Sequence, residues 1–175
     1  MRGACAAVAL LVLAAGCGKK AEPPKPAAPD PPEAVFKRML ALYDAADGKA
    51  MWAMLSKRLQ GESLEALRQI KASPEKVTEL AEQLGSTPEA IRAAGPEEFT
   101  TLVMRARLKD VEKMKLYRDL KSPRVHQDGK RLRVSAVNSD GKFEWVLHLV
   151  EEDGAWKVDE DQDVEHEIRE VGGEK

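Results

Sequence analysis

The sequence predicts an α+β domain in which helices fill the first half and an antiparallel sheet the second. Three observations carry this. Proline-led helix starts with apolar residues at helical spacing run from residue 33 to about 110. After that the apolar period changes to two. Three Asp-Gly pairs, Asp128-Gly129, Asp140-Gly141 and Asp153-Gly154, then separate runs rich in Val, Leu, Phe and Trp, which is the pattern of an antiparallel meander. The chain has 175 residues, 43% hydrophobic and 33% charged, enough for one domain and unlike a disulfide scaffold or a multi-span membrane protein. A net charge of −2 argues against a dedicated nucleic-acid binder.

Before the helices comes a segment of another kind. Met1-Arg2-Gly3 is a short positive region, and Ala4 to Ala15 is an unbroken small and apolar run ending at Gly16-Cys17. Such a run spans only about 18 Å as a helix, against a hydrocarbon core of about 30 Å, so it reads as a removable secretory signal over residues 1–16. Leu13-Ala14-Ala15-Gly16-Cys17 resembles the lipobox of bacterial lipoproteins. The resemblance implies recognition of Leu13, Ala15 and Gly16 by the signal peptidase, cleavage before Cys17, and a lipid on its thiol. Acyl chains then hold the protein to a membrane, each buried methylene contributing about 0.8 kcal/mol. Cys5 leaves with the signal and Cys17 is consumed, so no thiol remains for catalysis, a disulfide or a metal. The implied location is the bacterial cell envelope. Gly18 after the cysteine resembles the outer-membrane default, which would leave the domain facing the periplasm.

Residues 17–32 form the lipidated cysteine and a tether, with six prolines between Gly18 and Pro32. In polyproline II geometry this spacer reaches up to about 45 Å. The α+β domain follows over residues 33–160. Asp30-Pro31-Pro32-Glu33 offers an N-cap and a first-turn proline for a helix carrying Phe36, Met39, Leu40 and Tyr43. A second helix carries Met51, Trp52, Leu55 and Leu59 and is expected to end at Gly61. Leu64, Leu67 and Ile70 mark further helical turns. Ser73-Pro74-Glu75, Thr87-Pro88-Glu89 and Pro96-Glu97-Glu98 then announce three more helices, each with acidic residues near the positive end of its dipole. Segment 111–118 reads equally as strand or helix end.

The sheet is expected over about 111–159, with Phe143, Trp145, Leu147 and Leu149 on the face that also takes Leu132, Val134, Ala136, Trp156 and Val158. Glu144, Val146, His148 and Val150 fall on the other face. The hairpin at Ala46-Asp47-Gly48, the stretch Trp52 to Ser56 and the ending Glu152-Asp153-Gly154-Ala155-Trp156-Lys157-Val158 resemble the nuclear transport factor 2-like cone. That resemblance covers residues 33–60 and 121–159, and the stretch from Leu64 to Leu108 is a longer helical insertion than the family carries. It implies a curved, cone-like sheet under the helices. Homodimerisation through the outer sheet face at Val146, His148 and Val150 is implied with it.

The family includes isomerases and dehydratases with an Asp, His or Tyr inside the cone. No polar residue on the face predicted to point inward stands out, and Tyr43 and Tyr117 read either as pocket-lining residues or as core tyrosines with the hydroxyl at the rim. The interior is therefore expected to be purely apolar or filled by Phe36, Leu40, Trp52, Trp145 and Trp156, an expectation that an enclosed Asp–His or Asp–Tyr pair would overturn. His126, His148 and His166 share no ligand spacing, so no metal site, no cofactor and no catalytic residue is predicted. Residues 105–133 carry eleven basic side chains against four acidic ones. Arg105, Arg107, Lys113, Lys115, Arg131 and Arg133 are candidates for an anion-binding patch. The alternative is that these side chains are simply solvated and that the acidic tail from Asp159 onward folds back or floats free. Residues 161–175 read as an acidic tail. Three readings of function stay open: a binding or assembly module for an envelope protein or small apolar ligand, an isomerase- or dehydratase-like enzyme, and a spacer lipoprotein.

Overall fold

A computed structural model describes residues 29–166, and Leu13, Ala15, Gly16 and Cys17 lie outside them. The order is α1 (Pro32–Ala45), α2 (Gly48–Met54), α3 (Lys57–Lys71), α4 (Pro74–Leu84), α5 (Pro88–Ala93), α6 (Pro96–Lys109), α7 (Val111–Arg118), β1 (Arg124–Asp128), β2 (Arg131–Val137), β3 (Phe143–Glu152) and β4 (Ala155–Glu165). The protein is an α+β domain, helices preceding a curved four-stranded antiparallel sheet of order β1-β2-β3-β4. Among the described residues no helix is long and apolar enough to cross a membrane.

The proline-led starts are real. Ser73 and Thr87 each accept a backbone N–H three residues on, from Lys76 and Ala90, and Gly85 closes α4 at φ +59°. Asp30 does not cap α1: Pro31 holds that position, and the Asp30 carboxylate pairs with Arg38 at 2.6 Å. The ambiguous segment 111–118 is helix α7, capped by Asp110 and anchored by buried Met114 and Tyr117.

Gly61 does not end the second helix. That helix stops at Met54, Leu55 turns extended to bridge Val158, and the Ser56 N–H donates to the Val158 carbonyl at 2.8 Å. The Ser56 hydroxyl then caps α3, which runs straight through Gly61. A tertiary bond to the last strand and a local cap together outweigh the continuous helical pattern.

The main core lies between α1, α2, α6, α7 and the inner sheet face. Phe36, Trp145, Leu147, Leu149, Val134 and Val158 are fully enclosed in it. Trp145 is its centre, with the Phe36 ring at 4.7 Å and the Tyr117 ring at 5.4 Å between centroids. A second, small core of Val77, Ala81 and Ile91 holds the helical insertion together. On the outer sheet face Val146 is nonetheless buried, with 2% of its surface accessible, while His148 and Val150 are half-buried.

The last strand departs most from the sequence reading. It continues to Glu165, into the stretch assigned to an acidic tail. Its register also shifts: Leu149 faces Val158 whereas His148 faces Glu160, which leaves Asp159 as an extra residue. Such a bulge reverses the in-out phase of everything beyond it. Before the bulge the even-numbered residues face the core; after it Asp161 and Asp163 do, opposite Leu147 and Trp145.

Candidate functional site

The phase reversal in β4 delivers two carboxylates to the interior. Tyr43 of α1 donates its hydroxyl hydrogen to Asp161 Oδ2 at 2.9 Å, and Trp145 Nε1 donates to Asp161 Oδ1 at 2.6 Å. Arg107 of α6 donates from Nη1 to the Tyr43 hydroxyl at 2.6 Å, with Asp161 3.9 Å away. Its Nη2 reaches Asp163 Oδ2 at 3.3 Å, and Lys113 of α7 meets the same oxygen at 2.6 Å. The Tyr117 hydroxyl donates to the other Asp163 oxygen. The guanidinium lies 5.0 Å from the Tyr43 ring centre and 5.4 Å from that of Tyr117, so both rings face a cation.

Two carboxylates, one guanidinium and one ammonium leave the cluster neutral, which is why so many polar groups can be withdrawn from water together. The two carboxylates are nonetheless unequal. Burial drives the Asp161 carboxyl above the usual carboxylate range, and the bond from Trp145, the charge of Arg107 and the bond from Tyr43 only partly oppose it. Asp163 is pushed the same way by burial, but bonds from Lys113 and Tyr117 and the charge of Arg107 prevail and hold it low. Burial is also the leading reason that both tyrosine hydroxyls sit well above their ordinary range.

Asp161 borders a cavity of about 260 Å³ lined by α1, α2, α3 and α6. Its walls are the apolar side chains of Met39, Met51, Trp52, Leu55, Phe99 and Met104, with Ser63 and Thr100 as further polar groups. The carboxylate keeps 23% of its side-chain surface accessible, although protein surrounds it on most sides. The expectation of a filled or purely apolar interior is therefore corrected: Phe36 and Trp145 fill part of it, but an enclosed Asp–Tyr pair lies beside an open pocket. One signal was available in the sequence. Asp159, Asp161, Asp163 and Glu165 alternate with period two, a strand pattern whose acidity masked it.

The six basic candidates do not assemble into one anion-binding surface. Arg107 and Lys113 turn inward to the carboxylates just described. Arg131 pairs with Asp159 at 3.0 Å, Arg133 with Glu144 at 2.7 Å and Lys115 with Glu112 at 2.7 Å. Arg105 is exposed on α6, beside a shallow groove between α5 and α6. Four of the six are thus neutralised by acidic residues on β3 and β4. Among the described residues no group of three His, Cys, Asp or Glu side chains is placed to hold a metal.

Fold and site together define a class: an α+β domain whose helices roof an antiparallel sheet and line a largely apolar pocket with a half-buried carboxylate at its edge. Comparison of the chain with protein-family models, curated proteins and solved structures yields no match.

Proposed function

We propose that the protein is a lipid-anchored lipoprotein of the bacterial envelope whose domain, of the nuclear transport factor 2-like type, binds a small and largely apolar ligand. The lipobox-like Leu13 to Cys17 and the proline-rich tether support the anchoring, with Gly18 favouring an outer-membrane location and a domain facing the periplasm. The observation that carries the binding role is Asp161, a hydrogen-bonded carboxylate reaching a largely apolar cavity of about 260 Å³. Apolar walls supply affinity by burying ligand surface, and one polar group fixes orientation.

An isomerase- or dehydratase-like enzyme is the second reading, favoured by the same pair. A carboxyl raised by burial and bonded to a tyrosine is suited to exchange a proton with a ligand. Both Asp161 oxygens already accept a hydrogen bond from the protein, which favours orienting a ligand over abstracting its proton.

The test is native mass spectrometry of the mature chain purified from a bacterial host, alongside Thr100→Trp, whose indole would occupy the cavity. A reproducible adduct on the wild type that disappears in Thr100→Trp supports the pocket. A bare chain, or an adduct indifferent to the substitution, counts against it. Conversion of the identified ligand, lost in Asp161→Asn, would favour the enzyme.

A further inference from the structure

The outer face of the sheet, opposite the Asp161 pocket, carries a second concavity. It is a polar groove of about 520 Å³ formed by β1, β2 and the loops at one end of the sheet. Arg124 faces Ser135 across the ladder and His126 faces Arg133, while Val134 and Ala136 between them are buried in the core. Arg124 and Arg133 are therefore diagonal neighbours on the outer face, a relationship that sets backbones about 7–8 Å apart. Lys121, just before β1, lines the same groove.

The charges of this groove are balanced unevenly. Of the three arginines in the sheet, Arg131 is held by Asp159 at 3.0 Å and Arg133 by Glu144 at 2.7 Å. Among the described residues no carboxylate lies within 4.0 Å of Arg124 or Lys121; the Lys121 ammonium donates to the Ser139 carbonyl at 3.3 Å, and its charge is felt by Asp119, which holds the same serine. Of the two acidic residues that line the groove, Glu144 also takes His166 at 3.2 Å, whereas Asp140, exposed at the rim, accepts the Lys142 N–H at 2.9 Å and keeps its charge. The Arg124 guanidinium, the Lys121 ammonium and the exposed hydroxyl of Ser122 thus line the groove together, with Arg133 beside them. A guanidinium fork, an ammonium and a hydroxyl supply the kinds of donor that a phosphate oxyanion accepts.

We propose that this groove is a binding site for a phosphate group, with Arg124 and Lys121 as its direct contacts and Arg133 as a wall held in place by Glu144. The site is independent of the pocket ligand, since the two lie on opposite faces of the sheet. Phosphate chemistry of this kind is offered both by free phosphate and by phospholipid headgroups.

Isothermal titration of the full chain in zwitterionic detergent at low salt separates the two sources. The probes are inorganic phosphate and glycerophosphoglycerol, the acyl-free headgroup of phosphatidylglycerol. The wild type is expected to bind at least one with 1:1 stoichiometry, and Lys121→Gln/Arg124→Gln to bind it at least tenfold more weakly. Arg105→Gln, which removes an exposed arginine elsewhere, is expected to bind as wild type. Preference for inorganic phosphate assigns the site to a free phosphate and preference for the diester to a headgroup. Absence of binding by the wild type, or equal binding by the double variant, overturns the proposal. Both substituted side chains are exposed, so an unchanged unfolding temperature verifies that the fold is intact.

Discussion

The Tyr43 hydroxyl donates to Asp161 Oδ2 at 2.9 Å, joining the first helix to the last strand across 118 residues of chain. Arg107 donates to the same hydroxyl from α6, so three elements meet at one oxygen. Tyr43→Phe removes both bonds while keeping the ring. The expected loss of stability is about 1–3 kcal/mol, because a half-buried guanidinium and a half-buried carboxylate each lose a partner. The urea midpoint checks this, and a variant as stable as wild type would show that solvent replaces the hydroxyl.

The two half-buried aspartates respond to pH in opposite senses. The folded state raises the Asp161 pKa above its unfolded value of about 3.9, so its contribution to stability is fully present below that pH and is lost as pH rises through the folded value. Asp163, held low, contributes above about pH 3.9 and loses its contribution as pH falls. Asp161→Asn deletes only the first. Subtracting the variant's unfolding free energy from that of wild type should give a difference that shrinks as pH is raised from about 4 to 7. A difference that is flat or grows with pH would contradict the assignment.

Two helical glycines should respond oppositely to alanine. A Cβ on Gly48 would lie 2.4 Å from the Glu97 carbonyl oxygen and 2.4 Å from the Thr101 nitrogen, backbone atoms that α6 cannot move alone. Gly48→Ala is expected to destabilise by about 1–3 kcal/mol or to prevent folding. Gly61, exposed in α3 with nothing within 4 Å of such an atom, should gain about 0.5–1 kcal/mol as alanine. Thermal unfolding of both variants separates close helix contact from helix propensity.

Ser56 has two duties in a fully buried setting. Its hydroxyl accepts the Leu59 N–H at 3.1 Å and donates to Asp159 Oδ1 at 2.7 Å. Ser56→Ala should lower stability by about 1–3 kcal/mol, the sum of a lost cap and a carboxylate with one donor fewer. Chemical denaturation measures it, and a change under about 0.5 kcal/mol would mean that Arg58 and Arg131 suffice for Asp159.

The anchor makes a prediction of its own. If Cys17 carries the proposed lipid, Cys17→Ser removes the attachment thiol, so the protein should move from the membrane fraction to the soluble fraction and its intact mass should lose the acyl groups. Retention of both would place the attachment elsewhere.

Much of the fold was legible because local chemistry and tertiary packing agree there. Ser73-Pro74 and Thr87-Pro88 cap helices by short-range bonds, and each Asp-Gly pair turns the chain where the strands need it. The alternation of Phe143, Trp145, Leu147 and Leu149 named the buried face of β3. Where the reading failed, a distant residue had altered the local outcome. Val158 breaks the second helix at Leu55-Ser56, and the extra Asp159 opposite the His148-Leu149 step reverses the phase of β4.

The sequence alone therefore determined the class of the domain, the order of its elements and most of its core, because periodicity and turn chemistry act within a few residues. Only the tertiary structure decided that Asp161 and Asp163 face inward to meet Tyr43, Arg107 and Tyr117 and that a pocket stays open beside them. A one-residue bulge moves every later side chain to the opposite face, and its position depends on pairing with β3, which no local pattern in β4 encodes.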